Sequence, residues 1–262
     1  MKIPQCDFHI HTKYLKCANE TMELFAIVRE CERLGITSIG ITDHLNSVDQ
    51  LELHRPIKKD IESLDTKIDV YFGVELNFTT ADGEFPYSEK IRDQYGFQFV
   101  IGGIHGTYLD SYDLKKIIDI QHRHHLKTCR DPLVDVLVHP YWFGKYEFDD
   151  NGWPWFDSVT VVPDSYARQL GQTAKETGTA IEINACSNLE VNDDGSRTEQ
   201  YVKEYINYLS IIAEEGACFS LGSDAHDIGR LKTILTAQKV AEQLNLDGER
   251  IWQPKCKSMT SL

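Results

Sequence analysis

The sequence lacks several features that would place it in a specialised class of protein. It contains no apolar run long enough to span a bilayer, and its N-terminus carries no apolar stretch like that of a signal peptide. Its seven cysteines are odd in number, scattered and without a C-x-x-C pair, which is typical of reduced thiols rather than of a disulfide framework. We therefore expect a cytoplasmic protein without a membrane segment.

The chain also lacks an excess of positive charge. It has 41 acidic and 27 basic residues, so its formal net charge is -14. A surface for extended nucleic acid normally needs a basic excess, and none is expected here. A small anionic substrate remains compatible with this balance, because bound cations reverse the local sign of the charge.

No internal repeat, low-complexity tract or linker divides the chain, and we expect a single domain over residues 1–262. Apolar β-rich runs lie at 2–8, 38–42, 70–74, 97–104, 134–138, 179–183 and 217–222. Helical patterns lie between them at 20–34, 113–128, 164–177, 198–215 and 230–244. Alternating strands and helices are typical of right-handed βαβ units, and they predict an α/β barrel with its site at the carboxyl ends of the strands.

Side chains that bind metals follow these strands. If residues 7–12 continue a strand, alternation places His9 and His11 on one face, where two imidazoles can share a cation. An isolated H-x-H pair also arises by chance, but eight such residues lie at the ends of six of these runs: His9, His11, His44, Glu75, His105, His139, Asp224 and His226. One cation takes about four to six ligands, so the set predicts two or three divalent cations.

The motifs at these positions resemble the PHP superfamily, named for polymerase and histidinol phosphatase. They are Asp7-x-His9-x-His11-Thr12, Ile41-Thr42-Asp43-His44, Gly73-Val74-Glu75, Gly103-Ile104-His105, Val138-His139-Pro140 and Ser223-Asp224-Ala225-His226. The resemblance covers nearly the whole chain. It implies a distorted (β/α)7 TIM-like barrel, a di- or trinuclear site for zinc, manganese or iron, and phosphoester hydrolysis by a metal-activated hydroxide.

Carried over by position, the resemblance also implies how the ligands are shared. One cation would take His9, His11, Glu75 and Asp224, a second would take His105 and His139 with Glu75 as a bridge, and a third would take His44 and His226. The family often has a further His or Asp after the H-x-H motif, where this chain has Cys17 as a candidate thiolate ligand.

Several residues have predicted supporting roles around this centre. Glu75, Asp224 and His226 are the candidate catalytic residues. Asp224 is the candidate proton acceptor, and the leaving group would be protonated either by a metal-free His226 or by a water. Asp7 and Asp43 are expected to fix imidazole tautomers, and Asn184 resembles a family position near the site. Glu182 either belongs to the site or is only hydrogen-bonded within the barrel.

Four further histidines fall within helical patterns rather than at strand ends. We expect them to be exposed helix residues and not ligands: His54, His122, His124 and His125.

Substrate contacts are predicted for two further groups of residues. Lys13, Lys16 and Arg230 follow ligand motifs and could meet a phosphate, although solvated charge is the alternative. The segment 140–158 is rich in aromatic residues, and Tyr141 and Trp142 directly follow His139 and Pro140. Such a loop could close over a ring-bearing substrate, pack the barrel rim or form a contact between copies of the chain.

The preferred function is hydrolysis of a small phosphomonoester, as in histidinol phosphatases. A nucleotide or short-oligonucleotide phosphodiester is the alternative substrate. Hydrolysis of a C–N bond, as in amidohydrolases, is an alternative of another class, but the lysine bridge of that group is missing. A third possibility is a metal-binding scaffold without turnover, for which Cys17 is the only indication.

Overall fold

Parallel strands form the centre of the computed structural model, which describes residues 2–260. The ends of the predicted domain, residue 1 and residues 261–262, lie outside the described residues. The strands are β1 (Cys6–Ile10), β2 (Ser38–Ile41), β3 (His44–Leu45), β4 (Asp69–Asn77), β5 (Phe99–Gly103), β6 (Val136–Leu137), β7 (Ala180–Asn184) and β8 (Phe219–Gly222). Seven of them follow the order β1-β2-β4-β5-β6-β7-β8, and β3 pairs with β4. The seven runs are thus confirmed, and β3 was not predicted.

The first and last strands meet and nearly close the sheet into a barrel. Just beyond β8, the backbone N–H of Asp224 donates to the carbonyl of His9 at 2.8 Å, and Ile10 pairs with Ala225 in a parallel bridge. The Asp7 carboxylate accepts the backbone N–H of Ser223 at 2.9 Å across the same junction. The closing hydrogen bonds lie at the carboxyl ends of the strands. The predicted α/β barrel is therefore confirmed.

Helices alternate with the strands. They are α1 (Leu24–Leu34), α2 (His54–Glu62), α3 (Glu89–Tyr95), α4 (Leu114–Arg130), α5 (Lys145–Asp150), α6 (Asp164–Thr177), α7 (Glu199–Glu214) and α8 (Ile234–Gln243). Four of the five predicted helical ranges contain one of them, and α4 extends two residues beyond the predicted range 113–128. Gly35 and Gly178 end α1 and α6 in the left-handed conformation, as expected for C-terminal glycines. The short helices α2, α3 and α5 were not among the predicted ranges, and α5 lies inside the aromatic segment.

The barrel interior is filled by large aromatic side chains that require glycine opposite them. Phe99 on β5 is 1% exposed, and a Cβ atom at Gly40 on β2 would lie 2.4 Å from its ring. A Cβ atom at Gly73 on β4 would lie 2.6 Å from the same ring. The ring and the two glycines therefore fill this layer together. Among the helices of residues 2–260, none has the length and apolar character needed to cross a membrane.

The predicted exposure of four helical histidines was wrong. All four are buried: His54, His122, His124 and His125. Helix α4 is covered on both sides, because His122 stacks on Tyr166 of α6 at 3.8 Å while His125 Nε2 accepts the backbone N–H of Tyr141 at 3.0 Å. A histidine on a helix packed in this way contributes a flat ring and a hydrogen-bond acceptor to the interior.

Candidate metal centre

The first set of converging ligands lies where β1 meets β8. His9 Nε2 and His11 Nε2 are 3.0 Å apart. Asp224 Oδ1 lies 3.5 Å from His9 Nε2 and 3.3 Å from His11 Nε2. Glu75 Oε2, from β4, lies 3.5 Å from each of the two imidazole nitrogens. The structure thus brings together the four residues that the resemblance assigned to one cation.

The second set lies on the other side of the same glutamate. Glu75 Oε1 is 3.1 Å from His139 Nε2 and 3.3 Å from His105 Nε2. His44 Nδ1 approaches Oε2 of Glu75 at 2.6 Å. Glu75 is fully buried, and its two oxygens face different imidazoles. This is the arrangement expected of a carboxylate that bridges two cations.

The third set contains the cysteine. Ligand atoms of His11, Cys17, His44 and His226 all lie within 4.8 Å of one another. Cys17 Sγ is 4.0 Å from His11 Nδ1, and the rings of His11 and His226 stack at 4.1 Å. Cys17 therefore lies where the sequence suggested an additional ligand.

The spacing of the first set fits a divalent cation. Four ligands held at about 2.1 Å by a tetrahedral cation lie about 3.4 Å apart. The separations of His9, His11, Asp224 and Glu75 given above range from 3.0 to 3.5 Å. In addition, Glu75 Oε2 is buried and makes no hydrogen bond of good geometry within residues 2–260. A buried acceptor of this kind, surrounded by imidazole nitrogens, matches the donor set that zinc, manganese and iron prefer.

The electrostatics of the site keep the carboxylates of Glu75 and Asp224 ionised, which is the form that binds a cation. Burial opposes ionisation of Glu75, but the neighbouring His44, His9 and His105 hold its pKa well below the ordinary value. Burial likewise opposes ionisation of Asp224, whereas His9 and His11 hold its pKa well below the ordinary value.

The imidazoles respond to the same surroundings. Burial, with His44 and His226 nearby, lowers the pKa of His11 well below its usual range, and burial lowers the pKa of His105 to about 4. Burial would also lower the pKa of His9, but Glu182, Asp224 and Glu75 raise it well above the ordinary value. Ionised carboxylates and neutral His11 and His105 are the forms that bind a metal.

The prediction that Asp7 and Asp43 contact imidazoles and fix their tautomers was wrong. Asp7 accepts the backbone N–H groups of His9 at 3.3 Å and Ser223 at 2.9 Å. Asp43 accepts the backbone N–H and the hydroxyl of Thr12, at 3.1 Å and 2.9 Å. Both carboxylates accept hydrogen bonds from groups in or next to the H-x-H motif, from His9 and Thr12, instead of contacting an imidazole.

Two polar residues on β7 support the ligands directly. Glu182, which the sequence left open, lies 2.7 Å from His9 Nδ1. Asn184 donates to Glu182 at 2.9 Å and to Asp224 at 3.2 Å, which is consistent with its expected place near the site. Their alternation on one strand, two residues apart, was the available signal for a shared role.

A cleft of about 320 Å³ opens beside the ligands. It is lined by His44, His105, His139, Trp142, Cys186, Ser187, Arg197, Asp224, His226 and Arg230. Trp142 and Arg230 were predicted substrate contacts. Arg197 was missed, because it lies in the loop between β7 and α7, with no motif to mark it. Ser187, also missed, donates to Asp224 at 2.5 Å.

Three of the predicted substrate contacts do not line this cleft: Lys13, Lys16 and Tyr141. Tyr141 has no exposed surface, and its hydroxyl lies 2.6 Å from Nδ1 of His122 on α4. Lys13 is paired with Glu23 and lies 3.6 Å from Glu20. The side chains of Tyr141 and Lys13 belong to the protein's own packing and surface ion pairs. The remaining aromatic residues of the segment pack largely on one another, as Phe148 does on Trp155 at 5.0 Å.

Comparisons with known proteins match the chain to one family model and to several solved structures. No curated protein matches the chain significantly. A chain of archaeal ribonuclease P, solved by cryo-EM with mature tRNA, has a TM-score of 0.46 and 15% identity, covering 92% of this chain and 91% of that one. A Schiff-base-forming fructose-1,6-bisphosphate aldolase has a TM-score of 0.40 and 12% identity, covering 92% and 82%. Similarity at this level gives no conclusion about activity.

The family comparison covers most of the chain and includes much of the site. The model of the PHP domain matches residues 7–221, from the strand that carries His9 to the last strand of the barrel. Its range contains Glu75 and both of the imidazoles that face its Oε1, those of His105 and His139. The chain therefore belongs to the PHP domain family, whose members are generally metal-dependent hydrolases.

Proposed function

We propose that this protein hydrolyses a small phosphomonoester with the help of two or three bound divalent cations. The observation that carries the proposal is the position of Glu75 between two sets of imidazoles. Its Oε2 faces His9 and His11, and its Oε1 faces His105 and His139. Bound cations would lower the pKa of a coordinated water and neutralise phosphoryl oxygens, which is the chemistry that phosphoester hydrolysis needs.

The charge of the cleft supports an anionic substrate. Arg197 is only 6% exposed, and no carboxylate of residues 2–260 forms an ion pair with it. Its guanidinium reaches the Phe143 carbonyl at 3.4 Å and the Ser196 hydroxyl at 3.5 Å, which are weak contacts. A buried cation without a partner is costly, and a phosphoryl group in the cleft would provide the missing anion. Arg230, paired with Glu190 at the rim, adds a second positive charge.

Three further side chains have roles in this proposal. Asp224 lies against both His9 and His11, so it would hold a cation and serve as a proton acceptor. His226 lines the cleft with a side chain that is 36% exposed, where it could protonate the leaving oxygen. Trp142 lies 5.8 Å from the His105 ring and forms an apolar wall. The volume of the cleft suits a small molecule.

The test uses protein stripped with EDTA and reloaded separately with manganese, zinc or iron(II). Its substrates are p-nitrophenyl phosphate, a panel of natural phosphomonoesters, bis-p-nitrophenyl phosphate and an amide. We expect phosphomonoester turnover that depends on the cation. Preferential cleavage of the diester would favour the nucleotide alternative, and cleavage of the amide alone would favour C–N hydrolysis. Failure on every phosphoester with every cation would refute the proposal.

The bridging residue has its own variant. We expect Glu75→Gln to lower both the bound metal and the turnover, because one oxygen of the carboxylate is replaced by a donor. Glu214→Gln is the matched control, since that carboxylate is on α7, is 65% exposed and lies 3.6 Å from Arg168. Unchanged metal content in Glu75→Gln would contradict the bridging role.

A further inference from the structure

Glu182 on β7 lies between the two sets of ligands that Glu75 joins. It is 1% exposed, and no lysine or arginine of residues 2–260 lies within ion-pair distance of it. Its Oε1 is 2.7 Å from His9 Nδ1. Its Oε2 accepts the backbone N–H of His139 at 2.7 Å and the side-chain amide of Asn184 at 2.9 Å. One buried carboxylate thus contacts a ligand of the first set and the backbone of a ligand of the second.

The contact with His9 determines which ring nitrogen is free. An ionised carboxylate only accepts hydrogen bonds, so the proton of neutral His9 lies on Nδ1. The lone pair of Nε2 then points toward His11 Nε2, Asp224 and Glu75. The opposite tautomer would place an N–H group at the position of the cation. Carboxylates that hold metal-binding histidines in this way strengthen the metal site.

The contact with His139 holds a strained backbone. His139 has a φ of 29°, in the left-handed region that residues other than glycine seldom adopt. Its N–H group donates to Glu182, while its Nε2 lies 3.1 Å from Glu75 Oε1. The hydrogen bond therefore acts on the residue whose ring completes the second set.

The neighbouring strand leaves room for this carboxylate. A Cβ atom at Gly222 on β8 would lie 2.0 Å from Glu182 Oε1 and 2.7 Å from the Cβ of His9. The Cβ of His9 is bonded directly to the backbone of β1 and can move little, so a side chain at position 222 would displace the Glu182 carboxylate. Gly222 is thus a second, independent indication that the position of Glu182 is closely determined.

We propose that Glu182 is a positioning residue that prepares both cation sites, by holding the His9 tautomer with one oxygen and the His139 backbone with the other. This inference rests on the proposed function, because it assumes that cations bind at the two sets. Through Asn184, the same carboxylate also reaches Asp224, which Asn184 contacts at 3.2 Å. Three ligands from three strand ends are therefore linked to one residue.

The first test is the affinity of Glu182→Gln for zinc, measured by competition with a chelator. Glutamine keeps the size of the side chain, but its NH₂ group must face the N–H of either His9 or His139. We expect zinc to bind about 10–100-fold more weakly. Asp135→Asn is the matched control, because Asp135 is a partly buried carboxylate at the amino end of β6 that contacts no ligand, and its Oδ2 accepts the backbone N–H of Val100 at 2.9 Å. An asparagine keeps that acceptor, and its affinity for zinc should stay within a few-fold of the parent protein's.

The second test separates positioning from folding. Long-range ¹H–¹⁵N spectra of the zinc-loaded protein should show His9 protonated at Nδ1, and in Glu182→Gln this signal should shift or exchange with solvent. Thermal unfolding of the metal-free proteins checks that the variant is folded. Should Glu182→Gln fail to fold, Gly222→Ala replaces it, since its Cβ atom pushes the carboxylate away while Glu182 itself is retained.

The outcomes are distinct. Weaker zinc binding and an altered His9 signal, with Asp135→Asn close to the parent protein, support the inference. Parent-like affinity in both Glu182→Gln and Gly222→Ala would overturn it, as would an equal loss in Asp135→Asn. If the parent protein itself binds no cation, the proposed function fails and this inference fails with it. If the parent binds zinc and cleaves phosphomonoesters while Glu182→Gln binds equally well, only the inference fails.

Discussion

His139 and Asp224 share an unusual backbone conformation. Their φ values are 29° and 56°, in the left-handed region that residues other than glycine seldom adopt. Each is held by a hydrogen bond from its own N–H group, which for His139 goes to Glu182 and for Asp224 to the carbonyl of His9. Strain of this kind is concentrated at functional sites, and here it falls on two of the candidate ligands.

Cys17 gives a prediction that depends on the chemistry of sulfur. If its thiolate binds a cation with His44 and His226, cobalt(II)-loaded protein should show a sulfur-to-cobalt charge-transfer band in the near ultraviolet. We expect Cys17→Ser to lose this band and to bind about one cation fewer, by elemental analysis. Cys186→Ser is the control, because Cys186 also lines the cleft but belongs to no ligand set among residues 2–260. A band that survives in Cys17→Ser would exclude the thiolate ligand.

Arg197 gives a prediction about stability and binding together. Burial lowers the pKa of its guanidinium, which reflects the cost of holding an unpaired charge in the interior. We expect metal-loaded Arg197→Met to unfold at the same or a higher temperature than the parent protein without phosphate, and to lose most of the stabilisation that inorganic phosphate provides. Arg168→Met is the control, since Arg168 is 49% exposed and pairs with Glu215. A full phosphate effect in Arg197→Met would contradict its role.

Among the elements, α4 has an acid-sensitive face. Burial lowers the pKa of His124 to about 4, and burial also lowers the pKa of His122 and His125. In the unfolded chain these imidazoles take up a proton near pH 6.5, whereas in the folded helix they stay neutral to a lower pH. Their contribution to the free energy of unfolding is therefore fully present above about pH 6.5 and is lost as the pH falls toward 4.

His124→Phe tests this contribution, because phenylalanine can keep the stacked contact with Phe78, whose ring lies 4.3 Å away. The metal-free proteins would be unfolded with urea at pH 7.5 and 5.5. We expect the loss of unfolding free energy between these two values to be smaller in the variant by about 1 kcal/mol. Between pH 7.5 and 8.5 the two proteins should respond alike. An identical acid response in parent and variant would show that His124 does not contribute.

For the whole molecule, we expect cation binding to stabilise the contact between segments that are far apart in sequence. The ligands lie between His9 on the first strand and His226 beyond the last, so a bound cation stabilises the closed barrel over the open chain. At about a thousandfold excess over the dissociation constant, the gain is about 4 kcal/mol. We expect removal of the cations with EDTA to lower the melting temperature by roughly 10 °C, measured by scanning calorimetry, and their return to restore it.

A melting temperature that is unaffected by EDTA, in protein shown to have lost its cations, would mean that the ligand sets do not join these segments. Glu75→Gln offers a comparison within the same experiment. Because Glu75 contacts both of the first two sets, its variant should show a smaller response to the cations than the parent protein.

The alternation of strands and helices and the candidate ligands were determined by the sequence alone. Apolar runs alternate with helical patterns, and parallel strands bring their carboxyl ends to one edge of the barrel whatever the detailed packing. Residues such as His44, Glu75 and His105 could therefore be predicted to converge from their places at the ends of these runs. The limits of the strands did not follow from the sequence: of the apolar run at 134–138, only Val136–Leu137 form a strand, β6.

The partners of the buried polar groups were decided only by the tertiary structure. Glu182 meets His9 across 173 residues of sequence and His139 across 43, and Asp7 meets Ser223 across 216. Such pairings depend on how the first and last strands close and on the space left by Gly222, which no local pattern encodes. The burial of His124 and Arg197 has the same origin. Their surroundings come from segments far along the chain, whereas sequence periodicity reports only on neighbours.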